Sequence, residues 1–288
     1  MPDIWGIAAI LAKLALYVGF AGSTGLMIVS CLYCGYVAPI HRVMKRQARA
    51  LACLALAATV VGFMLRGAAL TSGLDGMVDP EMLGLLWQTP VGDVLVYRLV
   101  GAALILVGLS IPRFGHWIAL VGGTLALWSF AQIGHVPELE SVGVQLLLLL
   151  HLLCVAFWVG IFCPLRSMAL MPEHLTDAAE LGYRFGQTAA LIVPTLIGAG
   201  LWMAWLFVGN LQGLVFTGYG QALLFKVLLV SLLMILAAAN KLRFVPAMQK
   251  GEGKAAQRLA RSIEVEAIVL LAVLATTATL TSVLTLPS

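Results

Sequence analysis

The sequence predicts an all-α, polytopic membrane protein with eight transmembrane helices arranged as two parallel four-helix repeats. Composition is the first ground. With 61% hydrophobic residues, 10% charged residues and a mean hydropathy of +1.02, the chain has too little polar surface for a water-soluble core of 288 residues. Continuous apolar runs are the second ground, because a hydrocarbon core of roughly 30 Å needs about 17 to 25 apolar residues in a helix. A transmembrane barrel would instead show alternating segments of about ten residues. A motif that recurs at the same depth in both halves is the third.

The runs lie near 5–37, 49–71, 90–111, 116–134, 142–165, 186–209, 219–241 and 262–284. The first exceeds the length of a span and is expected to tilt or project. Arg42, Lys45, Arg46 and Arg49 follow the first run, Arg113 the third, Arg166 and Arg184 the fifth, and Lys241, Arg243, Lys250, Lys254, Arg258 and Arg261 the seventh. The alternate loops contain no Lys or Arg. The positive-inside rule therefore puts the basic loops in the cytoplasm and both termini outside. Aromatic residues do not interleave with these basic residues, so a topogenic role is expected rather than nucleic-acid binding. Met1-Pro-Asp-Ile-Trp has no basic n-region of a cleaved signal peptide, and the first helix is expected to be retained.

The duplication rests on Thr89-Pro-Val-Gly92-Asp-Val-Leu95-Val-Tyr-Arg98 and Thr217-Gly-Tyr-Gly220-Gln-Ala-Leu223-Leu-Phe-Lys226, which correspond at a constant offset of 128 residues. An even number of helices separates the copies, so they run in the same direction and are related by an axis along the membrane normal. Gly62 and Gly73 match Gly198 and Gly209 more loosely at an offset of 136, consistent with a longer external loop after the second run. The halves are residues 1–139 and 140–288 of a single membrane domain.

Charges inside the runs are costly. Lys13, Arg66, Arg98 and Lys226 each cost roughly 2.5 to 3.5 kcal/mol at a helix centre, less when the side chain snorkels to the interface. Snorkelling suits Arg66, near the end of its run. Arg98 and Lys226 lie deeper, where pairing with a carboxylate or a helix end is an equal expectation. On the outer side Asp3, Asp75, Asp79, Glu81, Asp93, Glu138 and Glu140 form an acidic, base-free surface that concentrates cations.

No phosphate loop, zinc-protease motif or nucleophile elbow is present, so a non-enzymatic role is expected. The candidate chemistry is metal binding. His151 sits about nine residues inside the fifth run, deeper than any other histidine of the chain. An intramembrane ionisable side chain is a candidate for an ion or proton pathway. Cys154, at i+3, shares its face and depth. His135, after Gly134 at the outer end of the fourth run, is placed to lie above His151. Met203, near the outer end of the sixth run, adds a thioether, and thiols, thioethers and imidazoles together suit Cu(I). Cys31, Cys34, Cys53 and Cys163 fall near the cytoplasmic, reducing face, where disulfides are not expected and the thiols serve either packing or a soft metal.

Several of these residues occur in stretches that resemble the copper resistance protein D family of bacterial inner-membrane proteins. They are Gly134-His135, His151-Leu-Leu-Cys-Val-Ala-Phe-Trp158-Val-Gly160, Thr217 to Lys226, Asn240-Lys-Leu-Arg243-Phe-Val-Pro246 and Ser262-Ile-Glu264-Val-Glu266. The likeness is fullest over about residues 130 to 288 and rests in the first half mainly on helix count and the Thr89 to Arg98 copy. The resemblance implies copper, as Cu(I) or Cu(II), moving across the inner membrane toward the cytoplasm, beside a periplasmic copper-binding partner of the copper resistance protein C type. Two other readings stay open at this level. A b-type haem electron carrier would take transmembrane histidines as axial ligands. A periplasm-facing assembly factor would use the outer residues and leave the inner cysteines idle.

Overall fold

The computed structural model describes residues 4–134, 141–252 and 254–284. Its long helices are α1 (Ile4–Leu32), α2 (His41–Thr71), α4 (Pro90–Gly108), α5 (Gly115–Trp128), α6 (Val142–Ala169), α7 (Leu175–Val208), α9 (Gly218–Ala239) and α11 (Ala255–Ser282). Short helices α3 (Pro80–Trp87), α8 (Leu211–Phe216) and α10 (Val245–Gln249) join them. The protein is thus an all-α polytopic membrane protein.

Among the described residues, seven helical segments are long and apolar enough to cross a membrane, and an eighth, Gly115–Ala131, is apolar but shorter. The fourth run expected from the sequence corresponds to this shorter segment. Its α-helix has 14 residues, about 21 Å at the helical rise, and tightens into a 3-10 turn at Ser129–Ala131. There the Ser129 hydroxyl donates to the Ala126 carbonyl at 2.6 Å, competing with the backbone ladder.

Other boundaries shift for readable reasons. α1 stops at Leu32, short of the apolar run's end, because Pro39 follows in a 3-10 turn and cannot continue the helix. α2 starts at His41, before its apolar run, since Met44, Ala48, Ala52 and Ala55 already form a buried stripe under the basic residues. α7 likewise extends back to Leu175 through buried Ala178, Leu181 and Gly182. After α9 the chain widens into a π-helical stretch, Asn240–Phe244, which admits Pro246 without ending the helix.

Packing centres on α1, which touches α2, α5, α6 and α11. Its middle is Gly19-Phe-Ala-Gly22-Ser-Thr-Gly25, and these residues are buried. A Cβ on Gly19 would lie 2.7 Å from the Leu51 carbonyl oxygen of α2, and one on Gly25 would lie 1.9 Å from the Ala156 carbonyl oxygen of α6. Gly160 is the reciprocal contact, its Cβ position falling 2.2 Å from Gly25 backbone. On another face of α1, Thr24 occupies the space that Gly123 of α5 leaves free. Lipid tails are as apolar as leucine, so helix association in a membrane relies on such close packing of small residues.

The turns into α4 and α9 are built alike. The Thr89 hydroxyl oxygen accepts from Val91 N–H at 3.2 Å, and that of Thr217 accepts from Gly220 N–H at 3.0 Å. A Cβ on Gly92 would meet the Trp87 carbonyl at the end of α3, and one on Gly220 would meet the Gly213 and Leu214 carbonyls of α8. In each case a glycine lets the first turn of the long helix lie against a short helix preceding it.

Gly160→Ala is expected to cost about 1–3 kcal/mol by overpacking the α1–α6 crossing. Gly198 of α7 has no atom within 4 Å of its Cβ position, so Gly198→Ala should not lower stability. Thermal unfolding of both variants in detergent checks the difference.

Candidate metal site

His151 lies about 14 Å along α6 from Val142, at membrane depth. Its Nδ1 is 3.2 Å from the Leu196 carbonyl oxygen of α7. The imidazole is seated there because α7 has no side chain at Gly200, whose Cβ position would be 3.2 Å from His151 Cε1. A carbonyl only accepts, so this contact puts the proton on Nδ1 and leaves the Nε2 lone pair unused. Backbone carbonyls that accept from the far ring nitrogen orient metal-binding histidines in the same way.

Cys154, one turn further along α6, is 7% exposed. Met203 is also 7% exposed and stands three residues from Gly200, on the side of α7 that meets His151. Met203 and His151 thus lie on facing sides of α7 and α6, and Cys154 follows His151 by one turn, away from the end where α6 begins. His135 lies outside the described residues. No group of three or more His, Cys, Asp or Glu side chains able to hold a metal occurs among the described residues. The soft donors along the seam are a sparse row rather than a closed coordination shell.

The charges of the spans find surroundings other than carboxylates. Lys226 of α9 lies within electrostatic reach of His151. Arg98 donates from Nε to the Ser129 hydroxyl at 3.0 Å and stacks over the Phe130 ring at 4.8 Å. Of the inner thiols, Cys163 donates to the Gln47 side-chain oxygen, and Cys31, Cys34 and Cys53 are free and at least partly exposed. The described histidines other than His151, namely His41, His116 and His174, stand at or beside helix ends in or next to the loops between α1 and α2, α4 and α5, and α6 and α7.

Contacts among the motif residues were not visible from spacing. Glu266 of α11, 3% exposed, accepts from the Asn240 amide and lies beside the Trp158 indole. Trp158 is two turns from His151 on α6, so this buried polar knot fixes the helix that carries the histidine. It ties α6 to α11 and to the π-helical stretch, whose altered pitch sets the position of Asn240. At the helix ends nearby, Arg166 pairs with Glu264 at 2.6 Å.

Comparison with known proteins agrees with this architecture. The profile for copper resistance protein D matches residues 179–280, and that for the copper resistance protein D-like N-terminal domain matches residues 1–143. The chain belongs to the copper resistance protein D family. It is 27% identical over 252 residues to the inner membrane protein YebZ of Escherichia coli K12, covering 82% of this chain and 86% of that protein. It is 28% identical over 212 residues to the copper transport protein CutJ of Bacillus subtilis 168, covering 68% of this chain and 37% of that longer protein. No solved structure matches the chain. This family member is accordingly a multi-pass inner-membrane protein.

Glu266→Leu in this copper resistance D protein should cost about 1–3 kcal/mol for each donor left unpaired in the bundle. Glu264→Ala breaks a half-exposed pair, with side chains 44% and 45% exposed, and should cost about 0–1 kcal/mol. Thermal midpoints of the two variants measured side by side test the ordering.

Proposed function

We propose that this protein carries copper ions from the periplasm to the cytoplasm through its second half, with His151 as the central ligand. The observation that carries the reading is the orientation of His151. Its Nδ1 is engaged by the Leu196 carbonyl, which leaves Nε2 free to bind a metal. Cys154 and Met203 flank it as soft donors suited to Cu(I), and imidazole suits either oxidation state. His135 is the proposed outer ligand above them.

A transport ion must be released as well as bound. The sparse donor row and the nearby Lys226 ammonium both weaken the hold on a cation, which suits passage more than storage. The acidic residues of the loops on the side of α3, Asp75, Asp79 and Glu81, would gather copper or dock a basic face of a periplasmic copper-binding protein of the copper resistance protein C type. This orientation places both termini in the periplasm. The matching turns at Thr89 and Thr217 support a duplicated origin of the halves 1–139 and 140–288. Only the second half acquired the deep histidine.

Copper supplied outside proteoliposomes should be taken up at least about tenfold more slowly with His151→Ala than with the parent protein, since losing a ligand should cost no less than the roughly 10–100-fold typical of losing a group that merely supports one. Thermal stability measured on the same samples separates a ligand from a packing residue. Unchanged uptake with lowered stability assigns His151 to packing alone. For the orientation, a C-terminal alkaline phosphatase fusion should be active and a C-terminal fluorescent protein that folds only in the cytoplasm should be dark.

A further inference from the structure

A second polar feature lies outside the α6–α7 seam. α1, α2, α4 and the end of α11 enclose a cavity of about 420 Å³ at the end of the bundle where α1 begins. Lys13, Arg66 and Arg98 all line it, and no Asp or Glu does so among the described residues. Lys13 donates to the Thr281 carbonyl at 2.6 Å, which holds its ammonium at the wall. Arg98 is 9% exposed, and while its Nε is bonded to Ser129, its buried Nη2 has no partner. Three cations facing one space repel each other, and a guanidinium N–H left unpaired at this depth costs free energy. An anion in the cavity relieves the repulsion among the three cations, and its field favours the buried Arg98 guanidinium.

We propose that this cavity is a binding site for a phosphate-class oxyanion, taken as the headgroup of an anionic phospholipid. Lys13, Arg66 and Arg98 surround the space with the cationic donors from which phosphate oxygens accept. Trp5, Phe63 and Leu95 provide apolar wall beside the charges, as an acyl chain attached to the headgroup requires. Copper is excluded from the same space by its charge, so the site is independent of the α6–α7 seam.

Native mass spectrometry of the full-length protein, delipidated and then offered phosphatidylglycerol or phosphatidylcholine, tests the site. The parent should retain one phosphatidylglycerol and no phosphatidylcholine. Lys13→Met/Arg98→Gln should weaken retention about tenfold or more, as expected for losing charge-assisted hydrogen bonds. Arg66→Gln, at the exposed mouth and without a protein partner to lose, should weaken it by about threefold with folding intact. Inorganic phosphate is the second arm. If millimolar phosphate raises the thermal midpoint of the parent and displaces the lipid, the source is the free anion; if it does neither while phosphatidylglycerol is retained, the source is the lipid. Equal retention of both lipids with no response to phosphate overturns the proposal, as does parent-like retention in Arg66→Gln and the double variant.

Discussion

Close approach of α1 to its neighbours is the constraint on which the rest of the bundle depends. In a bilayer no hydrophobic effect drives two helices together, and what remains is dispersion between surfaces near enough to touch. α1 achieves this by carrying almost nothing at the crossing points. Gly19 meets α2 and Gly25 meets Gly160 of α6 with backbone against backbone. Phe20 and Met27, fully or almost fully buried, then fill the space to either side. The same device joins α4 to α5, where Gly101 faces Gly122 and Gly108 faces Gly115. Helices at the periphery differ. The span of α9 is 6% buried and that of α7 17%, against 33% for α1 and α6. The seam bearing His151 therefore lies where a well-anchored helix, α6, meets a loosely held one, α7.

That contrast has a mechanistic consequence. Gly160 pins α6 to α1, and α6 also packs on α11, so the height and rotation of His151 are set from the closely packed side. The α7 side contributes a single carbonyl and the gap at Gly200. Pro194, two residues before Leu196, removes one rung of the α7 ladder and makes that part of the helix the easiest to bend.

Much of the architecture was legible in the sequence because membrane helices are coded by length and apolarity, which spacing reveals directly. The fold class, the basic loops and the depth of His151 followed from that code. The regular length of the fourth helix was not legible, because apolarity marks a segment as lipid-compatible without saying that Ser129 will end its regular hydrogen bonding. Helix starts at His41 and Leu175 were missed for the opposite reason: their first turns are charged, and only tertiary burial of Met44 or Leu181 shows them to be helix. The site was half legible. Cys154 follows His151 on one helix, so their shared face is arithmetic, whereas the Leu196 carbonyl and Gly200 come from a different helix and no periodicity points to them. For Arg98, pairing with a carboxylate or a helix end stood level with snorkelling, and its described partners are a hydroxyl and an aromatic ring, both from the segment after α5.

The distribution of charge between the halves completes the physical picture. The aligned positions Arg98 and Lys226 give both halves a cation at similar depth, but their surroundings differ. In the first half Lys13 and Arg66 join Arg98 around one cavity, and a monovalent metal ion about 10 Å from each would be repelled by about 1.7 kcal/mol per charge at an effective dielectric of about 20. In the second half Lys226 stands near a neutral imidazole with a thiol and a thioether beyond it, so one repulsive charge is set against three soft donors. Cations at matched positions thus sit in unlike surroundings, three around one cavity in the first half and a single one beside a histidine in the second.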